Sequence, residues 1–170
     1  MLSYIFAYGS LVDKESREST ITTDFVYKCE LQGKYIRFWT YHPRDPSQLV
    51  LGMSQHNSKG KINGVLLVID DDMLSKLDER EYKYRRVELD KKDLLINKVL
   101  ESDIPLYTYL LDRDRDITIE NTLVNSRYMC ICFRGFFTYG DAYIKQFIET
   151  TDGWKYDWME YYVDSYKKIC

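Results

Sequence analysis

The most constraining feature of this chain is an unbroken apolar run, Val65-Leu66-Leu67-Val68-Ile69, that stops at Asp70-Asp71-Asp72. A run so short and so rich in β-branched residues predicts a strand covered on both faces, because a half-exposed strand would alternate apolar and polar positions. The aspartates end the strand and supply a cap for a short helix over 73–80, with Leu74 and Leu77 turned inward. A second run, Tyr4-Ile5-Phe6-Ala7-Tyr8, closes on Gly9 and predicts another central strand. Covered strands need a core on each side, and 170 residues with 45% hydrophobic and 30% charged side chains can build one. That balance excludes a disordered chain or a coiled-coil rod, and one domain over 1–170 is expected.

The remaining elements are less sharply marked. Residues 14–24 are polar with weak helical signal, and 27–40 carry Leu31, Tyr35, Phe38 and Trp39 beside a turn at Gly33. Two prolines break the chain over 42–47, a short strand fits 49–53, and 57–61 reads as a surface turn. Strands are expected at 84–89 and 105–111, separated by a charged, helix-compatible stretch over 90–102. The alternating charges of 112–116 suit a solvated turn, and 125–133 fits either strand or helix. A helix over 141–151 puts Phe147 and Ile148 on one face, and Trp154, Trp158, Tyr161, Tyr162 and Tyr166 recur at helical spacing. Strands with intervening helices and a helical tail predict an α+β fold.

Composition narrows the function. Lysine plus arginine number 24 and aspartate plus glutamate 27, a net charge of −3 that argues against nucleic acid as a partner. No window approaches the roughly 20 apolar residues of a membrane span, so no membrane association is expected. Cys29, Cys130, Cys132 and Cys170 follow no secretory leader, so a reducing, cytoplasmic setting and structural thiols are expected. His42 and His56 lack the spaced partners of a metal centre, and no phosphate-binding or dinucleotide glycine motif occurs, so no cofactor is expected. Sixteen tyrosines suggest many rings that pack on one side and present a hydroxyl on the other.

Two places can hold chemistry. At Tyr8-Gly9-Ser10-Leu11 the glycine lets successive N–H groups face one way, which would cradle a carboxylate or a developing oxyanion; the same residues also make an ordinary turn after a strand. Ser10 lacks the elbow pattern of a nucleophile. The second place is Leu77-Asp78-Glu79-Arg80-Glu81-Tyr82-Lys83-Tyr84-Arg85-Arg86, where a helix returns to a strand. A carboxylate at that junction, crowded by tyrosines, loses hydration and becomes a proton acceptor of near-neutral strength. Glu81 lies at the junction, Glu79 two residues before it, and ion pairing with Arg80, Arg85 or Arg86 is the alternative for both.

These stretches resemble the gamma-glutamylcyclotransferase-like superfamily, which includes the AIG2-like and ChaC-like proteins. Phe6-Ala7-Tyr8-Gly9-Ser10-Leu11 is similar to its signature loop, Ser16-Arg17-Glu18-Ser19-Thr20 to a segment following it, and Gly64-Val65-Leu66 to its Gly-Val strand. The block from Leu77 to Glu81 with Tyr84 and Arg86, and a tail with Ser126, Tyr128, Gly135, Gly140 and Gly153-Trp154, complete the likeness. The resemblance implies a small mixed β-barrel with peripheral helices and a cavity floored by the glycine loop. It further implies that Glu81 is the acid/base, and that Tyr8, Gly9, Ser10, Leu11, Tyr84 and Tyr128 bind a small γ-glutamyl substrate. Tyr139 is a further candidate cavity hydroxyl. The implied reaction closes the substrate into 5-oxoproline and releases an amine, with neither metal nor serine nucleophile. The competing expectations are a non-catalytic small-molecule-binding or protein-interaction domain on the same fold, and a homo-oligomer joined through the aromatic tail.

Overall fold

A computed structural model describes residues 1–42, 45–111 and 126–154. Its elements in chain order are β1 (Leu2–Ala7), α1 (Lys14–Glu18), β2 (Val26–His42), β3 (Asp45–Asp70), α2 (Asp71–Arg80), β4 (Arg85–Glu88), β5 (Leu94–Ile96), β6 (Leu106–Leu110), α3 (Ser126–Phe137), α4 (Asp141–Glu149) and β7 (Thr151–Asp152). The strands form one mixed sheet in the order β4-β6-β1-β3-β2-β5, with β7 alongside β2. The two apolar runs found in the sequence lie side by side at its centre. β1 is antiparallel to β3, from Leu2 opposite Asp70 to Ala7 opposite Val65, and parallel to β6. Every β1 residue after Leu2 is buried, as an uninterrupted apolar strand requires.

The sheet curls. Although β1 separates β6 from β3, the Leu111 N–H just past β6 donates to the Met53 carbonyl of β3 at 3.0 Å. The result is a half-barrel with peripheral helices, an α+β fold, and no pairing joins its ends β4 and β5 among the described residues. On its packed side α3 and α4 supply Phe133, Phe136 and Phe147, all nearly or fully buried, with the Phe136 and Phe147 rings stacked at 4.2 Å.

Several local expectations change. β2 and β3 form one long hairpin, paired from Val26 opposite Leu67 to His42 opposite Asp45, so the stretch over 57–61 is strand backbone and not a turn. The irregularity is taken up at Gly33, after which residues 56–59 of β3 stand opposite the single residue Lys34. Polar residues dominate this bulge, which hides the strand from a periodicity reading. The stretch over 90–102 contains a 3₁₀ turn, Lys91–Asp93, and then β5. The ambiguous segment over 125–133 falls largely in helix α3. Cys29 and Cys132 are buried free thiols, whereas Cys130 is disulfide-bonded, which corrects the expectation of thiols throughout. The turn expected over 112–116, the aromatic positions from Trp158 to Tyr166, and Cys170 lie outside the described residues.

Two glycines fix the position of the loop after β1. A Cβ at Gly64 of β3 would lie 2.3 Å from the Ala7 carbonyl oxygen, and one at Gly135 of α3 would lie 2.5 Å from the Asp13 nitrogen. The bare backbones therefore let β3 and α3 approach both ends of the segment over 7–13 more closely than any side chain would allow. The Asp13 carboxylate completes the anchor: it caps α1 through the Ser16 N–H and accepts two hydrogen bonds from Arg134.

Candidate active site

β1 runs out at Ala7, and the chain turns through a single 3₁₀ turn, Ser10–Val12, held by Val12 N–H to Gly9 O (3.0 Å) and Asp13 N–H to Ser10 O (3.2 Å). The amides of Ser10 and Leu11, first in that turn, donate to no acceptor among the described residues. A cavity lies beside them. Tyr8, Gly9, Ser10, Leu11, Glu81, Tyr84 and Tyr128, distant in sequence, all line it. Phe6 and Ala7, from the same signature-like stretch, line it too, as do Leu51 and Tyr109, which no motif announced. Tyr139 does not; its ring packs edge-on against Tyr143 at 5.5 Å.

The end of α2 delivers the acid. The Asp70 side chain caps the helix by accepting from the Met73 N–H at 2.8 Å, and the helix closes at Glu81, whose N–H donates to Leu77 O at 2.8 Å. The Tyr84 N–H then donates back to Glu81 O at 2.7 Å, a tight turn that brings Glu81 and Tyr84 to the same cavity. The Glu81 side chain is 14% exposed, whereas Glu79 is exposed and stands apart from the cavity. Loss of hydration raises the Glu81 pKa above the ordinary carboxylate value, and the neighbouring Arg80 guanidinium opposes without cancelling that rise.

Arg80 is itself heavily engaged. Its Nε lies 3.2 Å from Glu81 Oε1, while its terminal nitrogens donate to Ser16 O (2.7 Å), Ser16 Oγ (3.0 Å), Thr20 Oγ1 (3.0 Å) and Ser10 Oγ (3.2 Å). The Ser10 hydroxyl thus accepts from a cation, an arrangement opposite to that of an activated nucleophile. Arg86 pairs with Asp78 and not with either candidate glutamate.

The tyrosines form a frame. The Tyr8 hydroxyl donates to Tyr109 O (2.7 Å), the Tyr109 hydroxyl to Asp78 Oδ1 (2.9 Å), and the Tyr84 hydroxyl to Leu51 O (3.0 Å), while the Tyr128 hydroxyl accepts from the Leu51 N–H (3.4 Å). Burial pushes all four phenols upward in pKa, so they remain protonated donors across the neutral range.

Sequence reasoning missed Arg37 altogether. This β2 residue is fully buried, and one of its terminal nitrogens donates to the Tyr8 carbonyl at 3.2 Å, from behind the glycine loop. Among the described residues no cluster of histidine, cysteine or carboxylate side chains is arranged to hold a metal ion, and no helix is long and apolar enough to cross a membrane.

Comparison with known proteins bears on the family and the fold. The family model described as gamma-glutamyl cyclotransferase, AIG2-like, matches residues 5–125, a span that holds both the loop and Glu81. No curated protein matches the chain. Among solved structures, an uncharacterized human protein superimposes with a TM-score of 0.64 at 19% identity, over 98% of this chain and 99% of that one. A gamma-glutamyl cyclotransferase gives a TM-score of 0.64 at 17% identity, over 99% of both chains. A yeast gamma-glutamyl cyclotransferase specific to glutathione gives 0.51 at 12% identity, over 99% of this chain and 96% of that one. At such identities the likeness is one of fold.

Proposed function

Since the chain belongs to the gamma-glutamyl cyclotransferase, AIG2-like family, we propose that it cyclises a γ-glutamyl amine or dipeptide to 5-oxoproline, releasing the amine. The observation that carries this reading is Glu81: a desolvated carboxylate of raised pKa in the same cavity as a loop with two unpaired amides.

The roles follow from the groups present. The amides of the 8–11 loop hold the substrate's α-carboxylate, for which unpaired N–H groups in a concave turn are suited. Glu81 takes a proton from the α-ammonium, and the freed amine attacks the γ-carbonyl carbon, forming the C–N bond of a five-membered ring. The bond to the leaving nitrogen breaks as Glu81 returns its proton there, and the ring nitrogen then gives its second proton by way of the same carboxylate to the departing amine. The ring keeps one N–H, the amine leaves as its ammonium ion, the carboxylate is regenerated and no other reactant is consumed. Ring closure within one molecule needs little entropy, and a bound, aligned substrate gains further from proximity. The buried phenols of Tyr84 and Tyr128 stay protonated, so they line the cavity without competing with Glu81 as bases.

The test is release of 5-oxoproline from a panel of γ-glutamyl amines and γ-glutamyl dipeptides at neutral pH. Product from at least one member, abolished in Glu81→Gln, supports the reading. Tight binding of a panel member with no product would instead identify a binding domain on the same fold.

A further inference from the structure

The three strands that meet behind the glycine loop enclose a charge that the reaction above does not use. Arg37 is 0% exposed, and each of its nitrogens is hydrogen-bonded: Nε to Thr151 Oγ1 (2.7 Å), Nη1 to Asn63 O (2.7 Å) and Tyr8 O (3.2 Å), Nη2 to Asn63 Oδ1 (2.9 Å), Thr150 Oγ1 (2.8 Å) and Phe147 O (3.1 Å). All of these acceptors are neutral, and among the described residues no carboxylate pairs with the guanidinium, which stacks on the Phe147 ring at 4.4 Å. Desolvation brings its pKa down to about 9, which expresses what it costs to bury a cation without an anion.

We infer that Arg37 is a positioning residue whose buried charge, acting through the Tyr8–Gly9 peptide, sets how strongly the 8–11 loop holds a carboxylate. The inference rests on the γ-glutamyl reading for the identity of that carboxylate. Its physical basis is the peptide's geometry. No peptide bond in the described chain is cis, so with the Tyr8 carbonyl turned to Arg37 the Gly9 N–H is directed to the opposite side. A cation on the carbonyl polarises the amide and makes its N–H a stronger donor.

At the far end of the loop a second buried cation faces the carbonyls of Leu11 and Val12, although the N–H groups of those two peptides, on Val12 and Asp13, already donate to Gly9 O and Ser10 O. Arg17 is 4% exposed, has no carboxylate partner among the described residues, and donates through Nη1 to Leu11 O (3.0 Å) and Val12 O (3.3 Å). The carbonyls of residues 8, 11 and 12 therefore face buried cations, while the Ser10 and Leu11 amides have no internal acceptor. In a chain of net charge −3, this segment has buried positive charge behind it, which favours ligands that carry a carboxylate over amides or esters of the same shape.

The decisive variant leaves Arg37 in place. Asn63→Asp puts a carboxylate where Oδ1 lies 2.9 Å from Nη2, neutralising the guanidinium without removing the brace, at the loss of the Asn63 Nδ2 bond to Tyr143 O. Isothermal titration would measure 5-oxoproline and its carboxamide as ligands, alongside steady-state kinetics. Asn63→Asp should weaken 5-oxoproline about tenfold and raise KM more than it lowers kcat, with carboxamide affinity unchanged. Arg37→Lys keeps the charge but not the fork; it should lose thermal stability and keep most of the affinity. Unchanged 5-oxoproline affinity in folded Asn63→Asp would reduce Arg37 to a brace and overturn the inference. So would affinity lost in folded Arg37→Lys but kept in Asn63→Asp, or absence of 5-oxoproline binding to the wild-type protein. Failure of the cyclotransferase reading looks different: 5-oxoproline binds with the charge dependence described, yet no γ-glutamyl compound is turned over.

Discussion

Two concavities among the described residues have opposite character. The cavity at Glu81 encloses about 30 Å³, whereas a groove lined by Lys28, Cys29, Glu30, Leu95, Ile96, Asn97 and Tyr143 offers about 320 Å³. Each holds one half-buried glutamate. At Glu30, desolvation is the largest influence and pushes the pKa upward, but hydrogen bonds from Lys61 (2.5 Å) and Gln146 (2.8 Å), with the Lys61 charge, outweigh it and hold the carboxyl below its ordinary value. At Glu81 the single cation alongside is shared among four other acceptors, and desolvation prevails. The groove's thiol is no better placed for chemistry, because burial drives the Cys29 pKa up and away from the reactive thiolate. Size therefore does not locate the chemistry. What distinguishes the smaller space is a carboxylate left short of partners.

The largest expected effect follows directly. Glu81→Gln should lower the rate of 5-oxoproline formation by roughly 10²- to 10⁴-fold, the usual contribution of a proton-transferring group. Glu30→Gln in the larger groove, and Glu79→Gln on the exposed face of α2, should each stay within about twofold of wild type, since neither touches the proposed reacting atoms. Equal losses in Glu81→Gln and Glu30→Gln would erase the distinction drawn between the two concavities.

Next in size is the strand between them. Gly64 accepts from the Cys29 thiol and the Tyr143 hydroxyl through its own carbonyl on the groove side, and a Cβ on it would meet Ala7 O and the Phe6 ring where β1 approaches the cavity. Gly64→Ala forces a Cβ to within 2.3 Å of Ala7 O unless β1 moves, and overpacking of this kind costs about 1–3 kcal/mol. Chemical denaturation should show that loss, and turnover should fall with it because the displaced backbone leads straight into Tyr8. A smaller effect is expected for Tyr84→Phe, which removes one hydrogen bond to Leu51 O and should cost about 1 kcal/mol in the same measurement.

Much of the cavity was legible because its motifs are local. The strand that ends at Gly9 and the capped helix that ends at Glu81 each announce themselves within a dozen residues. The choice between Glu79 and Glu81 was not legible, since it depends on the turn that returns Tyr84 N–H to Glu81 O. Leu51 and Tyr109 were hidden for another reason: they reach the cavity through the curl of the sheet, and Leu51 sits in a hairpin whose bulge and polar residues disguise a strand that runs from Asp45 to Asp70. Arg37 was the least legible of all. A charged residue in a mixed segment suggests solvent, and its acceptors are backbone carbonyls, hydroxyls and one side-chain amide, up to 114 residues away.

The smallest effect separates the two glutamates by sign. Glu81 has a raised pKa in the folded protein, so the folded state binds more protons than the unfolded state between the ordinary value of 4.5 and its own. The stability it contributes is complete below 4.5 and is lost as pH rises through the folded value, so Glu81→Gln should gain on wild type with rising pH. Glu30 is lowered; its contribution is present above the ordinary value and lost as pH falls through the folded one, so Glu30→Gln should fall behind wild type with rising pH. Thermal unfolding of the three proteins, from well below the ordinary value of 4.5 up to neutrality, should give two difference curves that diverge in opposite directions, the Glu30→Gln curve below 4.5 and the Glu81→Gln curve above it, each by no more than a few degrees. Parallel curves would mean that the two carboxylates share one environment. Activity should add its own signature: as the proton acceptor, Glu81 must be ionised, so turnover climbs with pH through its raised value while the stability it contributes declines.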